Sequence, residues 1–383
     1  MSTWPISRKK WVGLFVGLVI VSAGMGWLWW RGFPATVSQP FFGKVVLLQY
    51  NQKGSHDISV IDNHSLAERR YPLKDRPYNN ISVRDNDIYL SIYRENQGPL
   101  GTVSAGNHIA HYRLHGDKIS FIREIDIPGY HPTTVWITTD NVFVLVRSVE
   151  DVVDEDGRTM TGMIVLDRKN DNYNGHISFS RDFVDSRWDF SEEKQRLFFF
   201  GQGTRYQDPE PTMDFVQFLE INLGDFSIAR RFWVHDKKEE TGGLTFSGVV
   251  KAGSGYIAVL IESNSSGQPL PDLQKVTLDT GVLEKHSVSG DFYCLTSAKG
   301  QRSFWATNGQ SLLRLNKKFE IIGSVPCAGI RDIKWIDGKL WVVRRATLMN
   351  GSGLVPSLGV YDPETLTVIK EFEGSYGHVA HHF

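Results

Sequence analysis

Short apolar runs alternate with tight polar turns along most of the chain, and the order of runs repeats. Each unit opens on an apolar strand: NNISV from Asn79, TTVWIT from Thr133, SRWDF from Ser186, LTFSGVV from Leu244, DFYCLTS from Asp291 and IRDIKWI from Ile330. A polar turn follows (RDND, TDN, SEEKQ, KAGSG, AKGQ or DGK), then a second, more apolar strand such as IYLSIY from Ile88, VFVLV from Val142 or LWVV from Leu340. A hairpin ends the unit. HIAHYRLHGDKISFIREI, QFLEINLGDFSIARRFWV and SLGVYDPETLTVIKEF carry the Gly, Asp and Pro that tight turns need. The repeat returns at roughly 40 to 58 residues, with no helical spacing between strands. Four antiparallel strands repeated in this way predict an all-β fold, a β-propeller. One four-stranded sheet exposes both faces, and stacking sheets around an axis covers them.

The two ends of the pattern predict closure. The segment from Lys44 supplies three strands, KVVLLQY, DISVIDNHS and AERRYPL, without an innermost one. GHVAHHF from Gly377 is a lone strand that follows EFEGSYG as TTVWIT follows EIDIPGYHP. It is expected to complete the first blade, so that six whole blades and one shared blade make seven four-stranded blades.

The first residues follow a different pattern. WVGLFVGLVIVSAGMGWLWW, residues 11–30, carries no charge and stands behind Arg8, Lys9 and Lys10. A helix over such a run spans roughly 30 Å of hydrocarbon, and the cations hold its start in the cytoplasm. The expected organisation is a cytoplasmic N-terminus at 1–10, a transmembrane signal-anchor helix at 11–30, a linker at 31–42 and an extracytoplasmic propeller at 43–383. That describes a single-pass protein of the cytoplasmic or inner membrane with its propeller in the periplasm or outside. A cleaved signal peptide is the alternative, although the run exceeds a usual signal core and no clean Ala-x-Ala site follows. Gly13 and Gly17 form a Gly-x-x-x-Gly pair that suits a partner helix.

Composition narrows the function classes. Lys and Arg total 42 against 43 Asp and Glu, with no long run of either sign, which argues against nucleic acid as a partner. The only two cysteines, Cys294 and Cys327, make no disulfide scaffold; one bridge or two free thiols both fit. There is no Gly-x-Ser-x-Gly elbow, phosphate-binding Gly loop, His-Glu-x-x-His run or haem-attachment pair, so no catalytic residue can be named. No cofactor and no metal site is expected. His378 and His382 share a strand face but lack a carboxylate partner in sequence. The acidic stretch from Glu150 to Gly157 lacks the alternating ligands of a calcium loop.

GYHPTTVWITTDNVFVLV and GVYDPETLTVIKEF show Gly-x-x-Pro, an inner strand, a turn, a second strand and a hairpin with an Asp-x-x-Thr-like turn. In this they resemble the YVTN-type and lactonase-like propeller repeats. The resemblance covers the exported region as architecture, and the blades starting near His131 and Ile330 carry it best. It implies one alternative activity, a metal-dependent lactonase-like hydrolase with its site at the axis, for which the inner strands offer Asn79, Asn80, Asp189 and Asp332. A quinone-dependent oxidoreductase would repeat a tryptophan at one blade position. Here Trp136, Trp188 and Trp335 fall in first strands, and Trp305 and Trp341 in second strands.

The connections between second and third strands are long, at 94–107, 147–162, 201–214, 262–272 and 345–357, while the other turns are minimal. In a propeller they emerge on one face. Arg94, Arg147 and Arg344 end second strands there, and His131, Arg187, Arg331 and His378 begin first strands, which predicts an electropositive mouth suited to an anionic group. These arginines could instead pair with Asp85, Asp185, Asp189 or Asp332 and join neighbouring blades. The expected function is a binding or scaffold module for a protein or anionic ligand, beside a membrane-protein complex or a cell-envelope ligand. Enzymatic activity is not required by any residue pattern.

Overall fold

Strands form where apolar alternation meets Gly, Asn or Asp turns, and the sheets stack because each buries both faces. The computed structural model describes residues 43–50, 56–74, 76–93, 96–97, 103–104, 108–116, 118–128, 130–148, 161–179, 188–193, 195–207, 210–236, 244–252, 255–263, 269–277, 282–287, 292–297, 303–344 and 358–379. Among these residues there are seven four-stranded antiparallel sheets and one two-stranded ribbon.

Sheet 1 holds Lys44–Tyr50, His56–Asp62 and Glu68–Pro72, with Ser375–Val379 added on the free side of Lys44–Tyr50. Sheet 2 is Arg76–Arg84, Asp87–Tyr93, His108–His115 and Lys118–Asp126. Sheet 3 is Tyr130–Ile137, Asn141–Ser148, Thr161–Asp167 and Tyr173–Ser178; sheet 4 is Trp188–Glu193, Arg196–Gln207, Glu210–Asn222 and Ile228–Asp236. Sheet 5 is Leu244–Ala252, Gly255–Ser263, Pro269–Thr277 and Val282–Ser287; sheet 6 is Tyr293–Ser297, Phe304–Thr307, Ser311–Leu315 and Ile321–Pro326. Sheet 7 is Ile330–Ile336, Lys339–Arg344, Leu358–Tyr361 and Val368–Phe372. Each sheet packs on the next, and the first strands of neighbouring sheets approach one another. That is propeller architecture.

The core lies in layers between sheets. Val46 and Leu48 of sheet 1 pack with Ile81 and Leu90 of sheet 2, and Phe143 and Leu145 of sheet 3 with Leu197 and Phe199 of sheet 4. Second strands are covered on both faces, so Val142 to Val146 are at most 4% exposed and the sequence there is continuously apolar rather than alternating. Outer strands keep one flank in water, and Phe121, Ile122, Ile321, Ile322, Val368 and Ile369 are exposed on them.

The expected role of the last strand is visible in its register. Leu47 pairs with Val379, Gln49 with Tyr376 and Tyr50 with Ser375. Tyr376 is 2% exposed and donates its hydroxyl to Glu68 at 2.8 Å, and Ser59 donates to the same carboxylate oxygen at 2.6 Å. Lys339 and Lys370 of sheet 7 donate to the carbonyls of Asn63 and Leu66 at 2.8 and 2.6 Å, joining the last sheet to the first.

One expected loop is a paired extension instead. Beyond Gly201 the strands of sheet 4 run on together, with Gly201 opposite Gln217, Gly203 opposite Phe215 and the pairing continuing as far as Gln207 opposite Glu210. The two glycines that suggest a loop sit inside the ladder, where backbone pairing needs no side chain. Inside 94–107 the ribbon Asn96–Gln97 pairs with Val103–Ser104. Residues 149–160 and 345–357 lie outside the described residues, as does the N-terminal apolar run. No helix among the described residues is long and apolar enough to cross a membrane. Cys294 and Cys327 are free thiols.

Candidate functional site

The residues expected at the mouth stand at one end of the sheets, where first strands begin and second strands end. His131 and Arg147 are direct cross-strand partners, and Arg344 lies opposite Ile330, next to the exposed Arg331. Arg344 reaches across its own sheet to Glu371 at 2.7 Å, and its neighbour Asp332 lies 3.7 Å from Lys334 on the same strand. His378 sits on the strand Ser375–Val379, and Asp189 on Trp188–Glu193. Arg94 and Arg187 lie outside the described residues. The backbone therefore brings His131 and Arg147 together, while Arg331, Arg344 and His378 belong to other sheets.

The opposite end carries a device that recurs around the molecule. The hairpin joining third to fourth strand begins on an Asx side chain that accepts the backbone of the turn. Asp62 takes the amides of His64 and Ser65 at 3.0 and 2.7 Å, Asp362 those of Glu364 and Thr365 at 3.0 and 2.7 Å, and Asp167 those of Lys169 and Asn170 at 2.8 and 3.2 Å. The turn ends on a residue in the left-handed region: Leu66 (φ 55°), Asp171 (φ 57°), Phe226 (φ 58°), Phe319 (φ 62°) and Leu366 (φ 58°). For Leu and Phe that conformation costs about 1–2 kcal/mol. Burying the side chain returns about 1.5–3 kcal/mol, so the turn is held by what it plugs. Leu66 enters the cluster of Trp341 and Val360, Phe226 that of Phe143 and Val165, and Leu366 that of Trp305 and Leu312. Each plug thus fills the flank of the preceding sheet, against an aromatic residue near the start of its second strand.

Sheet 3 departs from this rule. Its plug is Asp171, 7% exposed, and it faces Tyr89 and His111 of sheet 2, a cross-strand pair at the position of Phe143 and Val165. Tyr89 donates its hydroxyl to Asp171 Oδ1 at 2.6 Å, and Arg123 Nε donates to Oδ2 at 2.5 Å. His111 lies with Nδ1 3.0 Å from Asp171 Oδ2 and Nε2 3.1 Å from Asp87 Oδ1, its ring stacked on Tyr89 at 4.2 Å. Asp87 also accepts from Arg113 Nε at 2.7 Å and from Arg168 at 3.0 and 3.1 Å, and Arg168 reaches Asp85 at 2.8 Å.

Both ring nitrogens of His111 face carboxylates, an arrangement that favours the doubly protonated ring. Burial pulls its pKa down, but the hydrogen bonds to Asp171 and Asp87 outweigh burial and leave it above the ordinary value. Burial pushes the Asp87 carboxyl up, yet His111 and Arg113 bring it down to about 2. Asp171 is likewise held low: burial opposes ionisation, and His111, Tyr89 and Arg123 overcome it. Burial, then the Asp171 carboxylate, drives the Tyr89 phenol far upward. Each titratable group of the cluster thus meets a hydrogen-bonding or oppositely charged partner. The cluster locks sheet 2 to sheet 3. Sequence reading passes over it because His111 sits in an ordinary strand and its partner arrives from the next unit. The signal was the Asx-x-x-x-apolar spacing of Asp62 to Leu66, Asn222 to Phe226 and Asp362 to Leu366, where Asp167 is followed instead by Asp171.

No protein-family model matches the chain, and no curated protein sequence matches it. Solved structures do. Hydrazine synthase of Kuenenia stuttgartiensis superposes with a TM-score of 0.50 over 82% of this chain and 94% of that one, at 9% identity. A 6-phosphogluconolactonase-like protein of Bacteroides fragilis gives 0.49 over 91% and 99%, at 12% identity, and dihydro-heme d1 dehydrogenase NirN gives 0.49 over 91% and 76%, at 11% identity. The hydrazine synthase superposition is a likeness of fold, in line with the β-propeller architecture read from the repeats. At such identities none lends it a chemistry.

Proposed function

We propose that the chain is a seven-bladed propeller closed by Ser375–Val379, held outside a cytoplasmic or inner membrane by a helix over 11–30. In this reading it is a binding or scaffold module for a protein or anionic ligand, which docks on the end bearing the long connections. The observation that carries the reading is the contrast between the two ends of the sheets. Turns such as 85–86, 138–140 and 337–338 are minimal, whereas the connections at 94–107, 149–160 and 345–357 are long and sheet 4 extends its second hairpin. Long connections confined to one end cost little stability and supply recognition surface. The cross-strand pair His131 and Arg147, with Arg331 nearby in the repeat, gives that end its basic character.

Two measurements test this. A photo-crosslinking residue is placed at 97, 154 or 350 and, for comparison, at 117 or 318 in the full chain in its native membrane. Partner adducts are expected from the first three positions; adducts only from 117 and 318 reject the assignment of the face. An alkaline carbonate wash of the membranes should leave the full chain bound and release a chain lacking 1–42. Equal release of both rejects the anchor.

A further inference from the structure

At the turn end, the first residue of the second strand in sheets 1, 2 and 7 addresses the hairpin of the following sheet, whereas Arg196 of sheet 4 turns to Glu220 of its own sheet. Lys44 donates to the carbonyl of Gly116 at 3.1 Å, Asp87 takes Arg168, and Lys339 donates to Asn63 at 2.8 Å. Sheet 3 has Asn141 at this position. Its amide oxygen accepts from Asn174 Nδ2 at 2.9 Å, a bond within its own sheet. The seam with sheet 4 is open there. A cavity of about 230 Å³ lies between Thr138, Asn141 and Asn174 on one side and Gln195, Gly224 and Phe226 on the other.

We propose that this cleft binds one neutral sugar ring. The inference concerns the end opposite the loop-bearing face and does not depend on the function proposed above. The volume fits a single pyranose. The lining carries three side-chain amides, Asn141, Asn174 and Gln195, which both donate and accept, as a ring of neighbouring hydroxyls requires. Asp140 and Asp167 add carboxylate acceptors, and among the described residues no Lys, Arg or His lines the cavity. Asp167 Oδ1 is already engaged by two turn amides, at 2.8 and 3.2 Å, so it is held in the turn and not aimed at a ligand. Thr138 and Asn141 are 1% and 7% exposed, and the bond to Asn174 fixes the amide pair, so the polar groups are set before a ligand arrives. Phe226 supplies an apolar wall for the C–H face of the ring. Its own place is fixed by an edge contact with Phe143 at 6.0 Å.

The full chain in a detergent without sugar headgroups is titrated with glucose, galactose, mannose and N-acetylglucosamine, with saturation-transfer NMR and calorimetry as readouts. At least one is expected to bind with a dissociation constant of about 1 mM, the scale for so small a ligand. A Cβ added at Gly224 meets nothing within 4 Å, so the backbone there accepts a side chain, and Gly224→Trp is the variant that places an indole at the cleft. It should abolish binding with an unchanged melting temperature, and Asn174→Ala should weaken binding about tenfold. The proposal is overturned if no sugar of the panel binds, or if binding survives Gly224→Trp. It is equally overturned if calcium chloride alone stabilises the chain and Asp140→Asn removes that effect.

Discussion

The seam between sheets 2 and 3 and the seam between sheets 3 and 4 share one frame and are filled with opposite chemistry. In both, a left-handed residue closes a hairpin and enters the flank of the preceding sheet. At the second seam Phe226 meets Phe143 and Val165; at the first, Asp171 meets Tyr89 and His111. The apolar seam holds by area and tolerates an open cleft at its rim. The polar seam holds only while every charge has its partner, because a buried ion pair gains little over an apolar filling yet loses heavily when one member goes. Order in the ring can therefore be set seam by seam, with one hairpin position deciding which kind of filling is used.

The contrast breaks most severely at Asp171. Asp171→Leu installs the filling used at Leu66 and Leu366 but strands His111 and Arg123, and should cost about 3–5 kcal/mol in denaturant unfolding. Adding His111→Val and Tyr89→Phe, which copies the apolar seam, should recover most of that loss. A triple variant no more stable than the single one would show that the network is not a substitute for a plug. Next in size, Gly175→Ala places a Cβ 2.7 Å from the Phe226 ring and should cost about 1–3 kcal/mol by overpacking. The same change at Gly224 should be neutral.

Acidity sharpens the comparison further. His111 has a raised folded pKa, so its contribution is complete below the ordinary 6.5 and is lost as pH rises through the folded value. Asp87 has a lowered one, so its contribution is complete above the ordinary 3.8 and is lost as pH falls toward about 2. Wild-type stability from this seam should peak between those ordinary values. In His111→Gln the alkaline decline should vanish from a series of melting curves, and an undiminished decline would place its origin elsewhere. The smallest loss expected from removing a seam contact is at Lys339→Met, where one charged hydrogen bond to Asn63 goes at a cost of about 1.5 kcal/mol.

Strand order, turn positions and the pairing of the last strand with Lys44–Tyr50 were legible in the sequence because each rests on local alternation and on turn residues. The extension of sheet 4 was not, since Gly201 and Gly203 look the same in a loop and in a ladder. His111 was opaque for a different reason. Its meaning lies in Asp171, which is separated from it by most of a repeat and reads as one more polar turn residue. Arg344 shows the limit of arguing from position alone: it stands at the expected end, and Glu371 of its own sheet engages it at 2.7 Å. The Asn141 cleft could be found only by comparing seams, because no single motif marks a bridge that turns inward.

The partnership of Ser375–Val379 with Lys44–Tyr50 has a consequence for biogenesis. Val45, Val46, Leu47 and Leu48 are at most 2% exposed in the finished ring, yet during vectorial synthesis their edge has no mate until all the other sheets have emerged. A nascent chain must shield that apolar ribbon until its mate arrives, a task suited to a holdase. Ribosome stalling late in the message would then release a species with a sticky open flank, and its fate should be aggregation or proteolysis.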